Sequence, residues 1–188
     1  MKVAGGKWKV TCHLPLSTFS LHPSSPVYRP PSFCMPRLSS TQFMAALPEA
    51  TRAHLPPPLK KFKSTYRSWL CQLYYRDARL HYEVWNLGER RGLIEIGLHF
   101  ESRDHAQNSA LLAGFSRRMV EVKARLGPQW EAERWDKGWT KVYETVPYEP
   151  FSDEVLEAIS ARLARAIEVL QPIWEELKDE GRRTNDEG

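Results

Sequence analysis

The chain has 188 residues, 41% hydrophobic and 11% aromatic, which supports one domain with a real core and excludes a wholly disordered protein. Its formal charge of +4 is concentrated in residues 1–48, where Lys2, Lys7, Lys9, Arg29 and Arg37 meet no Asp or Glu. The remainder sets 22 basic against 23 acidic side chains, so the folded part lacks the cationic excess that drives phosphate binding, and nucleic acid is not an expected partner.

Residues 1–38 form a basic tail with Pro15, Pro23, Pro26, Pro30, Pro31 and Pro36 among many serines, a composition that denies the backbone regular structure and predicts disorder. Met35 and Met44 offer alternative starts, which would leave the upstream residues outside the protein. Secretory and membrane segments are not expected, because no apolar run approaches the roughly 20 residues of a membrane helix. Cys12, Cys34 and Cys71 share no metal-ligand spacing and do not read as a disulfide framework, which points to a reducing, cytoplasmic setting.

A single domain is expected over residues 39–178. Ser39 to His54 reads as a short helix broken by Pro48 and stopped by the prolines at 56–58. Tyr66 to Tyr75 alternates as a strand, with Trp69, Cys71 and Leu73 on one side and Leu70, Gln72 and Tyr74 on the other. Leu80 to Leu87 and Leu93 to Glu101 continue as two more strands around Gly88-Glu89-Arg90-Arg91-Gly92. Asp104 is placed to cap a helix with the stripe Leu111, Leu112, Phe115, Met119, Val122 and Leu126, which Gly127-Pro128 ends. Trp130 to Trp135 and Trp139 to Val146 form a hairpin around Asp136-Lys137-Gly138, with Glu133 opposite Lys141. Ser152-Asp153-Glu154 opens a long helix through Leu156, Ile159, Leu163 and Leu170, with Pro172 expected to kink or end it and residues 179–188 expected to fray. The order helix-β-β-β-helix-β-β-helix defines an α+β fold, an antiparallel sheet of about five strands with helices on one face.

The near-repeat Leu80-His81-Tyr82-Glu83 and Leu98-His99-Phe100-Glu101 carries the chemistry. A hairpin centred on Arg90 sets His81 opposite His99, Trp85 opposite Glu95 and Arg79 opposite Glu101, on the face away from Ile94, Ile96 and Phe100. Directly opposed side chains have Cβ atoms roughly 4.5–5.5 Å apart, close enough for two imidazoles to share a metal or a water. His81, His99, Glu83 and Glu101, with Glu95 beside them, therefore offer nitrogen and carboxylate ligands suited to a divalent metal such as zinc. They equally suit the wet face of a one-sided sheet, with Arg79 neutralising Glu101. No P-loop, Gly-x-Gly-x-x-Gly, Gly-x-Ser-x-Gly or Pro-Cys-x-x-Cys motif occurs, so no cofactor site is assigned from motifs.

The aromatics Trp130, Trp135, Trp139 and Tyr143 read as hairpin and core packing rather than as a base-stacking platform, given Glu131, Glu133 and Glu144 among them. The apolar stripe of the last helix, with Leu170, Trp174 and Leu177, exceeds what the sheet needs to cover. It suggests a homodimer or another protein partner unless the first helix covers it. The function expected is a binding or interaction module rather than an enzyme; the alternative is a small metal-assisted hydrolase working from the His/Glu cluster.

Overall fold

The computed structural model describes residues 37–186, with side chains through Glu180; of the tail expected over residues 1–38, residues 1–36 lie outside the described residues. Three helices pack on one face of a six-stranded antiparallel sheet. In chain order the elements are α1 (Ser40–His54), β1 (Lys63–Arg67), β2 (Leu70–Tyr74), β3 (Leu80–Asn86), β4 (Leu93–Phe100), α2 (His105–Leu126), β5 (Glu131–Arg134), β6 (Thr140–Pro147) and α3 (Asp153–Asp186). The strands lie in the order β1-β2-β3-β4-β6-β5, which makes β3 and β4 central.

Local chemistry accounts for the boundaries. Ser39 accepts from the Gln42 amide while the Gln42 side chain accepts from the Ser39 amide, a reciprocal cap that starts α1. Asp104 accepts from the amides of Ala106 and Gln107 at the start of α2, and Gly127 follows its last turn at a φ of 117°. The loop between β5 and β6 turns through Lys137 and Gly138, both at positive φ.

The sheet has six strands rather than about five because Tyr66 to Tyr75 is not one strand. β1 ends at Arg67, and the two-residue turn Ser68-Trp69 sends the chain back as β2. Lys-Ser-Thr-Tyr-Arg has no apolar alternation because it is an edge strand, largely exposed on both sides. Neither internal proline ends its helix. Pro48 is buried within α1, and α3 runs through Pro172 to Asp186. Apolar packing on both sides of each proline outweighs the lost backbone bond: Met44, Leu47 and Thr51 flank Pro48, and Leu170 and Ile173 flank Pro172, all buried.

The core lies between sheet and helices. Tyr82, Val84, Ile94, Ile96, Leu98, Phe100 and Val142 meet Phe43, Leu47, Phe115, Leu163, Ile167 and Leu170, all essentially without solvent exposure. The Phe43 ring stacks on Phe151 at 4.0 Å and ties α1 to the segment before α3. Glu144 also points to this side, where Arg162 of α3 grips its carboxylate and Gln129 donates to it at 2.7 Å.

On the opposite face Gly97 sits directly across from Tyr143. A Cβ built there would come within 2.7 Å of the Tyr143 Cβ and 2.9 Å of the Val142 carbonyl oxygen. Both obstacles belong to the paired strand, so they cannot swing away. The Gly97→Ala variant is expected to lose roughly 1–3 kcal/mol of stability, read as a lower urea midpoint at unchanged slope.

Candidate metal centre

Strict alternation along β3 and β4 sends His81, Glu83, Trp85, Glu95 and His99 to the face away from the helices, and Glu101 follows just past the end of β4. The pairing is as the hairpin arithmetic requires: His81 opposite His99, and Trp85 opposite Glu95. The imidazoles lie nearly parallel, with ring centres 5.6 Å apart and 18° between their planes.

This face is not wet. The His81 side chain is 1% exposed, His99 0%, Glu83 6% and Glu95 5%, while Glu101, at the end of the row, is 21% exposed. Side chains from the loop after β5 and from β6 account for part of the cover. Trp135 stands edge-on to His99 at 5.8 Å and against Trp85 at 6.1 Å, and the Lys141 ammonium lies 3.9 Å from the centre of the Tyr143 ring.

Each imidazole is held differently. His81 Nδ1 is 2.8 Å from the Ala78 carbonyl oxygen, which can only accept, so the proton belongs on Nδ1 and Nε2 turns to the cluster. That Nε2 is 3.1 Å from Glu83 Oε2, and the Gln72 amide nitrogen stands 3.0 Å from each of them. His99 Nε2 is 3.2 Å from Glu95 Oε1 and its Nδ1 is 3.8 Å from Glu101 Oε1. The first contact lacks the direction of a hydrogen bond and the second is too long for one, so neither ring nitrogen of this fully buried histidine has a hydrogen-bond partner. One ligand atom each from His81, Glu83, His99 and Glu101 lie within 4.8 Å of one another. Tetrahedral zinc ligands stand about 3.4 Å apart, so binding an ion draws these side chains inward.

A buried ion-pair chain continues from His99. Glu95 Oε2 accepts from Lys141 Nζ at 2.8 Å, and Glu133 approaches the same ammonium at 3.4 Å. Burial alone would pull the His99 imidazolium down, but the carboxylates of Glu101, Glu95 and Glu83 outweigh it and push its pKa from 6.5 to about 9. Burial raises Glu83 and Glu95, yet both end below the usual value, Glu83 through His81, His99 and Gln72, and Glu95 through His99 and Lys141. The neighbouring Cys71, turned to the core side, is no competitor as a ligand, since burial and then Glu83 push its thiol up to about 12.

Arg79 does not neutralise Glu101. Its guanidinium binds Asp77 two residues away at 2.8–3.2 Å, and only its backbone carbonyl meets the Glu101 amide, at 2.7 Å. A short local loop closes that pair with little loss of freedom, which a reach across the strand end cannot match. Of the aromatics read as packing, Trp130 is buried in the core, whereas Trp135, Trp139 and Tyr143 belong to the loop and strand beside the His/Glu row. Leu170 is buried in the core, and Trp174 and Leu177 are partly buried where α3 passes α2, with Leu177 against Gly114.

Gln72, the Ala78 carbonyl, Lys141 and Trp135 were not assigned to the site from sequence. The local signal reaches only as far as Glu133 opposite Lys141; it is the partnering of β4 with β6 that puts Lys141 opposite His99. Comparisons with protein-family models, with curated protein sequences and with solved structures find no match to this chain.

Two outcomes test this description in the metal-free protein. The folded state raises the His99 pKa from 6.5 to about 9, so its contribution to stability is complete below pH 6.5 and disappears as the pH climbs through 9. In chelator, the wild-type melting temperature should fall by on the order of 5 °C more than that of His99→Gln between pH 6 and pH 9.5. Replacing Lys141 by Met leaves Glu95 without its ammonium and should cost about 3 kcal/mol by chemical denaturation.

Proposed function

We propose that this protein is a divalent-metal-binding module, with zinc the best-matched ion and His81, His99, Glu83 and Glu101 as the ligands. One observation carries the reading: His99 is fully buried, both of its ring nitrogens lack a hydrogen-bond partner, and two carboxylates and a second imidazole face it. A buried polar group without a partner costs on the order of 1–3 kcal/mol, a cost that coordination removes.

Charge supports the same reading. With both imidazoles neutral, Glu83, Glu95 and Glu101 carry three negative charges against the one ammonium of Lys141, which the more exposed Glu133 also shares, leaving at least two negative charges that a divalent cation offsets. Two imidazole nitrogens with two carboxylates match the preference of borderline ions over calcium or magnesium, which favour oxygen alone. The outer partners are of the kind metal sites use, a backbone carbonyl on His81 and a carboxylate beside the far nitrogen of His99.

Binding is placed ahead of catalysis because three of the four ligands are sealed from solvent. The side chains of His81, Glu83 and His99 are each at most 6% exposed. A hydrolytic reading draws on Glu101 alone, whose exposure would let water reach the ion.

Zinc added to chelator-treated protein should bind with a stoichiometry of one by calorimetry. It should raise the melting temperature, and a hundredfold excess over Kd adds about 2.7 kcal/mol. The His81→Ala/His99→Ala pair should abolish both effects, and retention of full stoichiometry in that variant would falsify the ligand assignment. Zinc-dependent ester hydrolysis lost in Glu101→Gln, with binding retained, would favour the enzyme reading.

A further inference from the structure

We infer that the β1 edge of the sheet and the turn after it form a binding surface for single-stranded nucleic acid. This inference is independent of the metal centre, and it starts from where the charges fall rather than from their total. Residues 1–76 hold eleven lysines and arginines against Glu49 alone, whereas residues 77–188 hold sixteen against twenty-two acidic residues. The near-balance of the folded part conceals a cationic end and an anionic end, an asymmetry typical of chains that meet a polyanion.

Among the described residues, five cations of this end lie along one border. Lys60 and Lys61 lead into β1 and Lys63 and Arg67 belong to it; β1 pairs only with β2 and so forms an edge of the sheet, and Arg76 lies past the far end of β2. Lys61, Lys63, Arg67 and Arg76 are exposed, and among the described residues none of the five forms an ion pair. Arg52, the other cation of this region, is occupied, held by Glu49 and by the carbonyls of Lys60 and Phe62.

Two large aromatic rings accompany these charges. Tyr66 is 52% and Trp69 48% exposed. Lys63, Thr65 and Arg67 leave β1 on one side, Tyr66 leaves it on the other, and Trp69 occupies the turn with Arg67 5.8 Å from its ring centre. The Trp69 carbonyl accepts from the Asn86 amide at 2.9 Å, which fixes the turn to β3 while the indole faces solvent.

Lysines on a sheet edge by themselves serve to discourage edge-to-edge pairing. Exposed aromatics work against that purpose, because they add the sticky surface such charges are there to offset. Cations that follow a backbone, with rings on which bases stack, are the combination single-stranded nucleic acid requires. An acidic peptide added as a seventh strand would use the charges and the open edge but would leave Trp69, beyond the strand end, without a role. A flat anionic membrane surface would meet Lys63 and Arg67 on one face of β1 but not Tyr66, which leaves on the other, whereas a flexible strand can reach both.

The test uses the full chain, so that the cations of residues 1–36 are constant in every arm, and follows the anisotropy of a labelled 12-nucleotide oligouridine. The wild type should bind it more tightly than a duplex of equal length. Binding should weaken with salt at a slope of about −0.7 per phosphate contact. The triple variant Lys61→Ala/Lys63→Ala/Arg67→Ala should bind roughly tenfold or more weakly and lose about 2 units of that slope. Trp69→Ala should also weaken binding, by roughly tenfold, but leave the slope unchanged, which separates stacking from charge. All these side chains are exposed, so circular dichroism and the melting temperature should match the wild type. Four outcomes would overturn the proposal: no binding at low salt, unchanged affinity in the triple variant, tighter binding to duplex, or preferential binding to an acidic peptide or to phosphatidylserine vesicles.

Discussion

An antiparallel sheet covered by helices on one side has to resolve what its other side carries, and in this protein the central strands place a histidine there with no solvent exposure. His99 is surrounded through the pleat and through strand pairing: Glu101 lies two residues ahead and Glu95 four residues behind along its own chain, His81 across the β3 ladder and Lys141 across the β6 ladder. These four are polar, and Trp135 stands edge-on against the ring. The packing that seals them makes each unmet charge costly, so the identity of one side chain in the row constrains the others.

The hairpin carrying the row was legible from the sequence because its two strands alternate cleanly and its turn is bracketed by glycines, which fixes a register that a one-residue slip would turn inside out. The acid at Asp104 was legible for the same local reason, a polar side chain just ahead of an apolar stripe, whereas Ser39 was read as part of the helix it caps. Features decided by tertiary context were less accessible. β1 has no inward face to reveal it, Pro48 and Pro172 are tolerated because of what packs around them, and Arg79 turns to Asp77 through a loop geometry that composition does not encode. The pairing of β4 with β6 spans α2 and β5, and without it neither Lys141 nor Trp135 can be assigned to the row.

The two proposed surfaces differ in physical kind. The histidine row concentrates negative charge in a sealed strip, where the local dielectric is low and a small cation is the natural counterpart. The β1 border spreads positive charge over solvent-exposed side chains that form no ion pair among the described residues, where screening by salt is strong and the proposed counterpart is extended. Their positions on one sheet, central and peripheral, follow from the strand order.

The contact between α1 and α3 has a bearing on how the protein is made. The Leu38 amide donates to the Phe151 carbonyl at 2.9 Å and Phe43 stacks on Phe151, so the first helix completes its packing against chain that emerges more than a hundred residues later. On a ribosome, the apolar side of α1 therefore waits through synthesis of the whole sheet, and the final fold forms late and as a unit.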